Sequence, residues 1–286
     1  MLVPAGVDLV ANLFTPDVVA SRPSWVAGFH RRANGLPPKI IAGTTVPAMI
    51  EAMDDAGIGR ALLLAARLGR RGLPGSWELN PQDVADVVEA HPDRFSGLVG
   101  INPYDSMAGV RELERLVRDY GFVGAHAYPH WFELPPDDPA WFPYYAKCAE
   151  LGVPMQLQVG YCRVYAPEQP SESVGRPECV DRVACLMPEL TIIGIHVGWP
   201  WTDQMIAVAN KHDNVYIGTD RHAPSRWPDS LVAYLSGPGR EKVLFGTDFP
   251  VVPYEVARRE LDALGLDAET EQALMGGNAR RIYGLD

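Results

Sequence analysis

A closed (β/α)₈ barrel, the TIM barrel, is the fold this sequence predicts, and three observations predict it. Short runs of β-branched and apolar residues recur eight times. Each is followed by a polar loop and a segment of helical periodicity. No strand leads into a GxGxxG or GxxxxGK[ST] turn, the nucleotide-binding signals of open sheets. Alternating strand and helix also describes a doubly wound open sheet, and periodicity alone does not separate the two. The eight-fold count favours the barrel, and 286 residues is an ordinary length for one built as a single domain over residues 1–286.

The strands are expected near Val7 to Leu13, Arg60 to Ala65, Phe95 to Asn102, Phe122 to Pro129, Pro154 to Gly160, Leu190 to Gly198, Val215 to Asp220 and Lys242 to Pro250. Between them, Val46 to Ala56, Pro81 to Ala90, Met107 to Tyr120 and Trp141 to Leu151 carry apolar residues at three and four spacing, as helices on a barrel's outside should. Gly57, Gly121 and Gly152 supply helix-ending turn chemistry. Two irregular segments, the aromatic and Pro-rich loop His130 to Pro139 and the stretch Tyr161 to Arg176, follow strand C-termini. That end of a barrel carries the chemistry, so both are expected to wall or cover a site.

Composition narrows the partners. A net charge of −11 with no run of Lys or Arg argues against a nucleic-acid partner. No apolar stretch approaches the roughly 20 residues of a membrane span, and the start, MLVPAGVDLV, lacks the basic region of a signal peptide. A cytoplasmic protein acting on a small molecule is the expectation. Cys148, Cys162, Cys179 and Cys185 show no CxxC spacing, so neither a zinc knuckle nor a disulfide framework is indicated, and buried thiols are expected.

Polar residues at strand C-termini point into a barrel's mouth, and five stand out: Asn12, His126, Gln158, His196 and Asp248. Asp248 ends the run VLFGTDFP, where a turn aspartate is the structural alternative to a metal ligand or general base. His196 closes the apolar run TIIGI before a Gly-containing turn, a placement that favours function over a satisfied core histidine. His126 shares a strand face with Gly124 and Tyr128 by the two-residue period, and His130 follows once the strand has ended. Asp220, Arg221 and His222 form a third polar group for which a solvated turn is the preferred reading. His30, His91 and His212 are read as loop or helix-end residues.

Taken together, VDLVANLFTP, HPDRFSGLVGINP, GFVGAHAYPHW, LGVPMQLQVG, LTIIGIHVGWPW, KVLFGTDFP and GGNARRIYGL resemble the amidohydrolase-2 branch of the metal-dependent hydrolases, which includes aminocarboxymuconate semialdehyde decarboxylase and related benzoate decarboxylases. The resemblance implies a first strand reading Asp-x-His-x-His, whose histidines hold zinc or another divalent ion together with a strand 5 histidine and a strand 8 aspartate. In this chain those positions are Val10, Asn12, Gln158 and Asp248, so only the aspartate of the four remains. Valine has no donor atom, and amide oxygens are poor zinc ligands. His196 matches the family's strand 6 histidine, implied to act as acid and base.

Three functions follow as expectations. The first is an enzyme with a rebuilt site: His126, His196 and Asp248 hold one divalent ion (Zn, Mn or Fe), or His196 and Asp248 act without it, while Asn12, Gln158, Tyr128, Trp199 and Arg221 contact a small carboxylated or amide substrate that is hydrolysed or decarboxylated. The second is a degenerate small subunit paired with a metal-replete paralogue, resembling two-component members of the superfamily such as the aminoisobutyrate hydroxylase system. The third is a binding protein that recognises a small acid through Arg221 or Arg163. Assembly as a homo-oligomer, or as a hetero-oligomer with the paralogue, belongs to these readings.

Overall fold

The computed structural model describes residues 5–24, 26, 36, 38–162, 166 and 168–285. Eight parallel strands pair in sequence order: β1 (Gly6–Ala11), β2 (Ile58–Ala65), β3 (Phe95–Gly100), β4 (Gly124–Ala127), β5 (Met155–Gln158), β6 (Ile192–Ile195), β7 (Val215–Gly218) and β8 (Val243–Leu244). The sheet closes on itself. Leu9 N donates to Phe245 O at 3.1 Å, Asp248 N to Val10 O at 2.9 Å and Asn12 N to Phe249 O at 2.9 Å, which ties β1 to the chain leaving β8. A closed ladder leaves no edge strand, and the strands are buried at nearly every position, polar residues such as Asp8, His126 and Gln156 included.

The helices following the eight strands are α1 (Val46–Asp55), α2 (Pro81–Ala90), α3 (Ser106–Tyr120), α4 (Phe142–Leu151), α5 (Pro177–Leu186), α6 (Thr202–Lys211), α7 (Asp229–Leu235) and α8 (Tyr254–Asp262). Their buried positions repeat at three and four spacing, as in Val110, Leu113 and Leu116 of α3. Thr45 and Asn80 cap α1 and α2, and Gly121 and Gly152 end α3 and α4 at φ 65° and 68°, which a side chain would strain. The predicted helix boundaries hold to within a residue.

Two expectations need correction. The segment His130 to Pro139 is not loop throughout, because Pro129–Phe132 forms a helical turn whose Trp131 and Phe132 are buried. Of the four thiols only Cys148 and Cys179 are buried; Cys162 is half-buried and Cys185 exposed. None of the four is in a disulfide among the described residues, and no described helix is long and apolar enough to cross a membrane.

A C-terminal helix, Asn278–Tyr283, closes the floor of the barrel. Tyr283 reaches Gly124 of β4, where an added Cβ would lie 2.9 Å from its ring. Its hydroxyl accepts a hydrogen bond from Gln156 Nε2 at 2.6 Å. The same Nε2 donates to Leu9 O at 2.8 Å, so the floor is a hydrogen-bonded layer and not only an apolar plug.

Candidate active site

The chemistry-bearing residues gather at the C-terminal ends of the strands, with backbone strain at three neighbouring ends. Among the described residues, His196 (φ 67°), Val197 (φ 49°), Arg221 (φ 74°) and Asp248 (φ 53°) hold left-handed conformations just after β6, β7 and β8. Side chains rarely adopt that backbone, and such cost concentrates where a site dictates the geometry.

The His196 ring is the centre of the arrangement. Its Nε2 lies 3.3 Å from Asp220 Oδ2 and 3.4 Å from Gln158 Nε2, and its backbone N donates to Asp220 Oδ1 at 3.2 Å. All three residues are buried. Burial, then the neighbouring Arg221 charge, holds the imidazole well below its usual range, while burial, then the charge of Asp248, pushes the Asp220 carboxyl well above its own. Both directions favour a neutral pair with the proton on the carboxyl, not an ion pair. Asp220 Oδ2 and Gln158 Oε1 are buried without a hydrogen-bond partner among the described residues.

His126 is fixed by the floor layer. Because Gln156 Nε2 is committed as donor to the Leu9 carbonyl, Gln156 Oε1 faces His126 Nδ1 at 2.7 Å as an acceptor, and Nδ1 must carry the proton. The lone pair is left on Nε2, which is buried without a partner among the described residues. Burial lowers the pKa of His126 to about 4, and the Tyr128 ring lies 4.4 Å from its own. His130, also lowered to about 4 by burial, accepts from Val174 N at 3.0 Å and so anchors the loop that follows β5. Gly160 lets that loop leave the strand, since a Cβ there would meet Trp199 O at 2.2 Å.

Across the mouth, β1 and β8 form a satisfied seam. Asp8 Oδ1 accepts from Thr247 N at 2.9 Å, and its Oδ2 from Thr247 Oγ1 at 2.5 Å. Burial nevertheless raises the Asp8 pKa to about 7. Asn12 Nδ2 donates to Asp248 Oδ1 and to Phe249 O, both at 2.8 Å. Arg221 Nη1 lies 3.7 Å from Asp248 Oδ2. Burial raises the Asp248 pKa, and Arg221 and Asn12 oppose the rise. Trp199 stands at the rim, 42% exposed, with its ring 6.3 Å from that of His222. His30 and Arg163 lie outside the described residues.

Two residues gain a place that the sequence did not assign them. Asp220, read as a turn, is the buried partner of His196. Arg22, not singled out at all, has its guanidinium 4.7 Å from the ring centres of both Phe14 and Trp77, with Nε buried and lacking a partner among the described residues. Burial lowers its pKa to about 10, and the charges of Tyr128 and Asp248 counter that, which places it electrostatically in the same mouth. The run Ser-Arg-Pro after a short helix carries no periodic signal that would have marked it.

A family model described as amidohydrolase matches residues 51–285. The chain belongs to the amidohydrolase family. Among curated relatives, 2-amino-3-carboxymuconate-6-semialdehyde decarboxylase of Dictyostelium discoideum is 27% identical over 71% of this chain and 65% of its own length, so the chain spans just under two thirds of that relative. An uncharacterised TIM-barrel protein from Bordetella bronchiseptica superposes with TM-score 0.76 at 23% identity, over 97% of this chain and 99% of that one. So does 5-carboxyvanillate decarboxylase from Novosphingobium aromaticivorans, complexed with manganese and 4-hydroxy-3-methoxy-5-nitrobenzoic acid, with TM-score 0.70 at 18% identity over 99% and 96%. These structural likenesses confirm the barrel.

The four ligand positions that the resemblance implies are, in this amidohydrolase, Val10, Asn12, Gln158 and Asp248. Val10 offers no donor atom, and the Asn12 amide N–H groups go to Asp248 and Phe249. His126, His196 and Asp248, the three donors expected to hold an ion, do not converge. Among the described residues, the one set of three imidazole, thiolate or carboxylate atoms within 4.8 Å of one another is Asp181, Cys185 and His212, on the barrel's outside.

Proposed function

We propose that this amidohydrolase is a lyase that removes carbon dioxide from a small, planar, carboxylated substrate by proton transfer at His196, without the family's metal. The observation that carries this reading is the buried His196–Asp220–Gln158 cluster, which keeps an imidazole and one exchangeable proton together at the mouth. His196 gives its N–H proton to the carbon that bears the carboxylate as its Nε2 takes the proton of the Asp220 carboxyl, so the imidazole stays neutral. The carbon–carbon bond breaks, its electron pair forms the new C–H bond, carbon dioxide leaves, and water returns the proton to the Asp220–His196 pair.

Arg22 and Arg221 give an otherwise acidic protein positive charge at this mouth, and guanidinium groups match carboxylates in shape as well as sign. Asp248, steadied by Asn12 and Arg221, orients the substrate opposite His196. The Tyr128 ring and the Trp199 rim supply faces for a flat molecule. His126 Nε2, with its lone pair aimed away from Gln156, is an acceptor for a substrate hydroxyl. The curated relative's name supports decarboxylation over hydrolysis.

The test uses protein stripped with a chelator and a panel of hydroxybenzoates and unsaturated dicarboxylates. Carbon dioxide release, with one solvent deuteron at the vacated carbon in deuterated water, is the expected result. Activity that vanishes on stripping and returns with Mn²⁺ or Zn²⁺ would overturn the metal-free mechanism.

A second reading rests on the loss of three ligand positions, Val10, Asn12 and Gln158, in a barrel that is otherwise intact. Such a chain suits a small subunit docked on a metal-replete paralogue, whose chemistry relaxes the demand on this site. Turnover confined to the co-purified hetero-oligomer, and unaffected by His196→Asn, would decide for it.

A further inference from the structure

The groups that do converge as metal ligands lie far from the mouth. Asp181 and Cys185 stand four residues apart on α5, hence on one face of it, and His212 is the residue that ends α6. In a (β/α)₈ barrel the helices run back from the mouth, so their C-terminal ends lie at the opposite face, the one associated with stability and not catalysis.

The geometry is close to a three-donor site. Asp181 Oδ1 lies 2.6 Å from His212 Nε2, Cys185 Sγ lies 4.0 Å from the same nitrogen, and all three atoms fall within 4.8 Å of one another. Donors around a tetrahedral zinc ion, from its usual bond lengths, sit roughly 3.3–3.7 Å apart. The observed separations bracket that range, so shifts of less than about 1 Å would seat an ion. His212 is held for the purpose: its side chain is mostly buried, and Lys242 Nζ pins its carbonyl at 2.9 Å.

A cation already rests at this place. Lys211 Nζ is 2.7 Å from Asp181 Oδ1 and 4.0 Å from Cys185 Sγ, the position of an ammonium standing in for a bound ion. The side chain of Lys211 is 55% exposed and long enough to withdraw into water. Beside it lies a surface groove of about 280 Å³ lined by Pro177, Glu178, Gln204 and Ala207 together with Asp181 and Lys211, which gives solvent a way to the Asp181 side of the cluster.

We propose that Asp181, Cys185 and His212 bind one soft divalent cation, zinc by preference, as a clamp between α5 and α6 that is separate from the active site. Imidazole and thiolate select zinc-like ions over Mg²⁺ or Ca²⁺. On binding, the Cys185 thiol releases one proton, the remaining N–H of His212 moves to Nδ1, and Lys211 leaves Asp181 for solvent. Water completes the tetrahedron.

The experiment titrates the metal-free full-length protein with Co²⁺ and Cd²⁺, reading the thiolate-to-metal charge-transfer band, and with Zn²⁺, reading Tm. One equivalent should produce the band, and Zn²⁺ at about a hundred-fold excess over Kd should raise Tm by about 5 °C. Cys185→Ser and His212→Ala should remove both effects, whereas Lys211→Met, by removing the competing cation, should tighten binding about ten-fold. Cys162→Ser, which changes the thiol nearer the mouth, should leave the band intact. No band, a band that survives Cys185→Ser, or a Lys211→Met affinity no better than the parent's would each overturn the proposal. Metal-free Tm values of the variants establish that they fold.

Discussion

The two sides of the barrel mouth treat their polar groups differently. Where β1 meets β8, the polar side chains are spent on the protein: Asp8 on Thr247, Asn12 on Asp248 and Phe249. Across β4 to β7, His126 Nε2, Gln158 Oε1 and Asp220 Oδ2 are buried with no hydrogen-bond partner among the described residues, Asp220 Oδ2 lying 3.3 Å from His196 Nε2. A buried polar atom left unpaired costs about 1–3 kcal/mol, so three of them at one mouth mark where a ligand's polar groups belong. The first side satisfies its polar groups internally, and the second leaves some of them open to a ligand.

That contrast can be broken. The largest effect should come from His196→Asn, which keeps a residue tolerant of the left-handed backbone but removes the imidazole. The expectation is a kcat lower by about 10²–10⁴-fold with little change in Tm; an unchanged kcat would place the chemistry elsewhere. Next, Gln156→Leu strands Leu9 O, the Tyr283 hydroxyl and the His126 N–H in the floor, and should cost about 2–4 kcal/mol in urea unfolding. Tyr283→Phe, which removes a single group, should cost about 1 kcal/mol. Equal stabilities would show that the floor layer does not bear on His126.

The seam makes a pH-dependent prediction. The Asp8 pKa is raised in the folded protein to about 7 from 3.8, so the folded state binds the extra proton between those values and Asp8 removes stability as pH rises through that window. Asp8→Asn lacks this term, and its stability relative to the parent should improve by about 4 kcal/mol between about pH 4 and about pH 8. The buried His126 and His130, lowered to about 4, act in the opposite sense and add stability as pH rises towards 6.5 in both proteins, so the comparison cancels them. A constant difference across the window would show that Asp8 is ionised throughout. The smallest effect is expected of Asn12→Ala, a loss of about 1 kcal/mol or less together with a raised KM, because Arg221 still faces Asp248.

The strands and helices were legible because a barrel buries its strands on both faces and its helices on one, and each demand leaves a period in the chain. His196 and Asp248 were legible because they interrupt apolar runs at strand ends. Asp220 was not, since a turn aspartate and a buried acid look alike until β6 and β7 are set side by side. Arg22 was hidden for a related reason: Phe14 and Trp77, which enclose it, are brought together only by the closed barrel. The cysteines were judged by spacing along the chain, which conceals a site made from one helix face and the end of the next.

By itself the sequence determined the eight-fold alternation of strand and helix, carried the motifs of the family resemblance and showed Val10 and Asn12 where that resemblance implies histidines, because burial periodicity and side-chain identity are local properties of the chain. Only the tertiary structure decided which nitrogen of His126 carries its proton, that Asn12 secures Asp248, and that Asp220 lies under His196. Each of those depends on a hydrogen bond or a desolvation between residues far apart in the chain, and its strength is set by distance and burial that exist only once the barrel has closed.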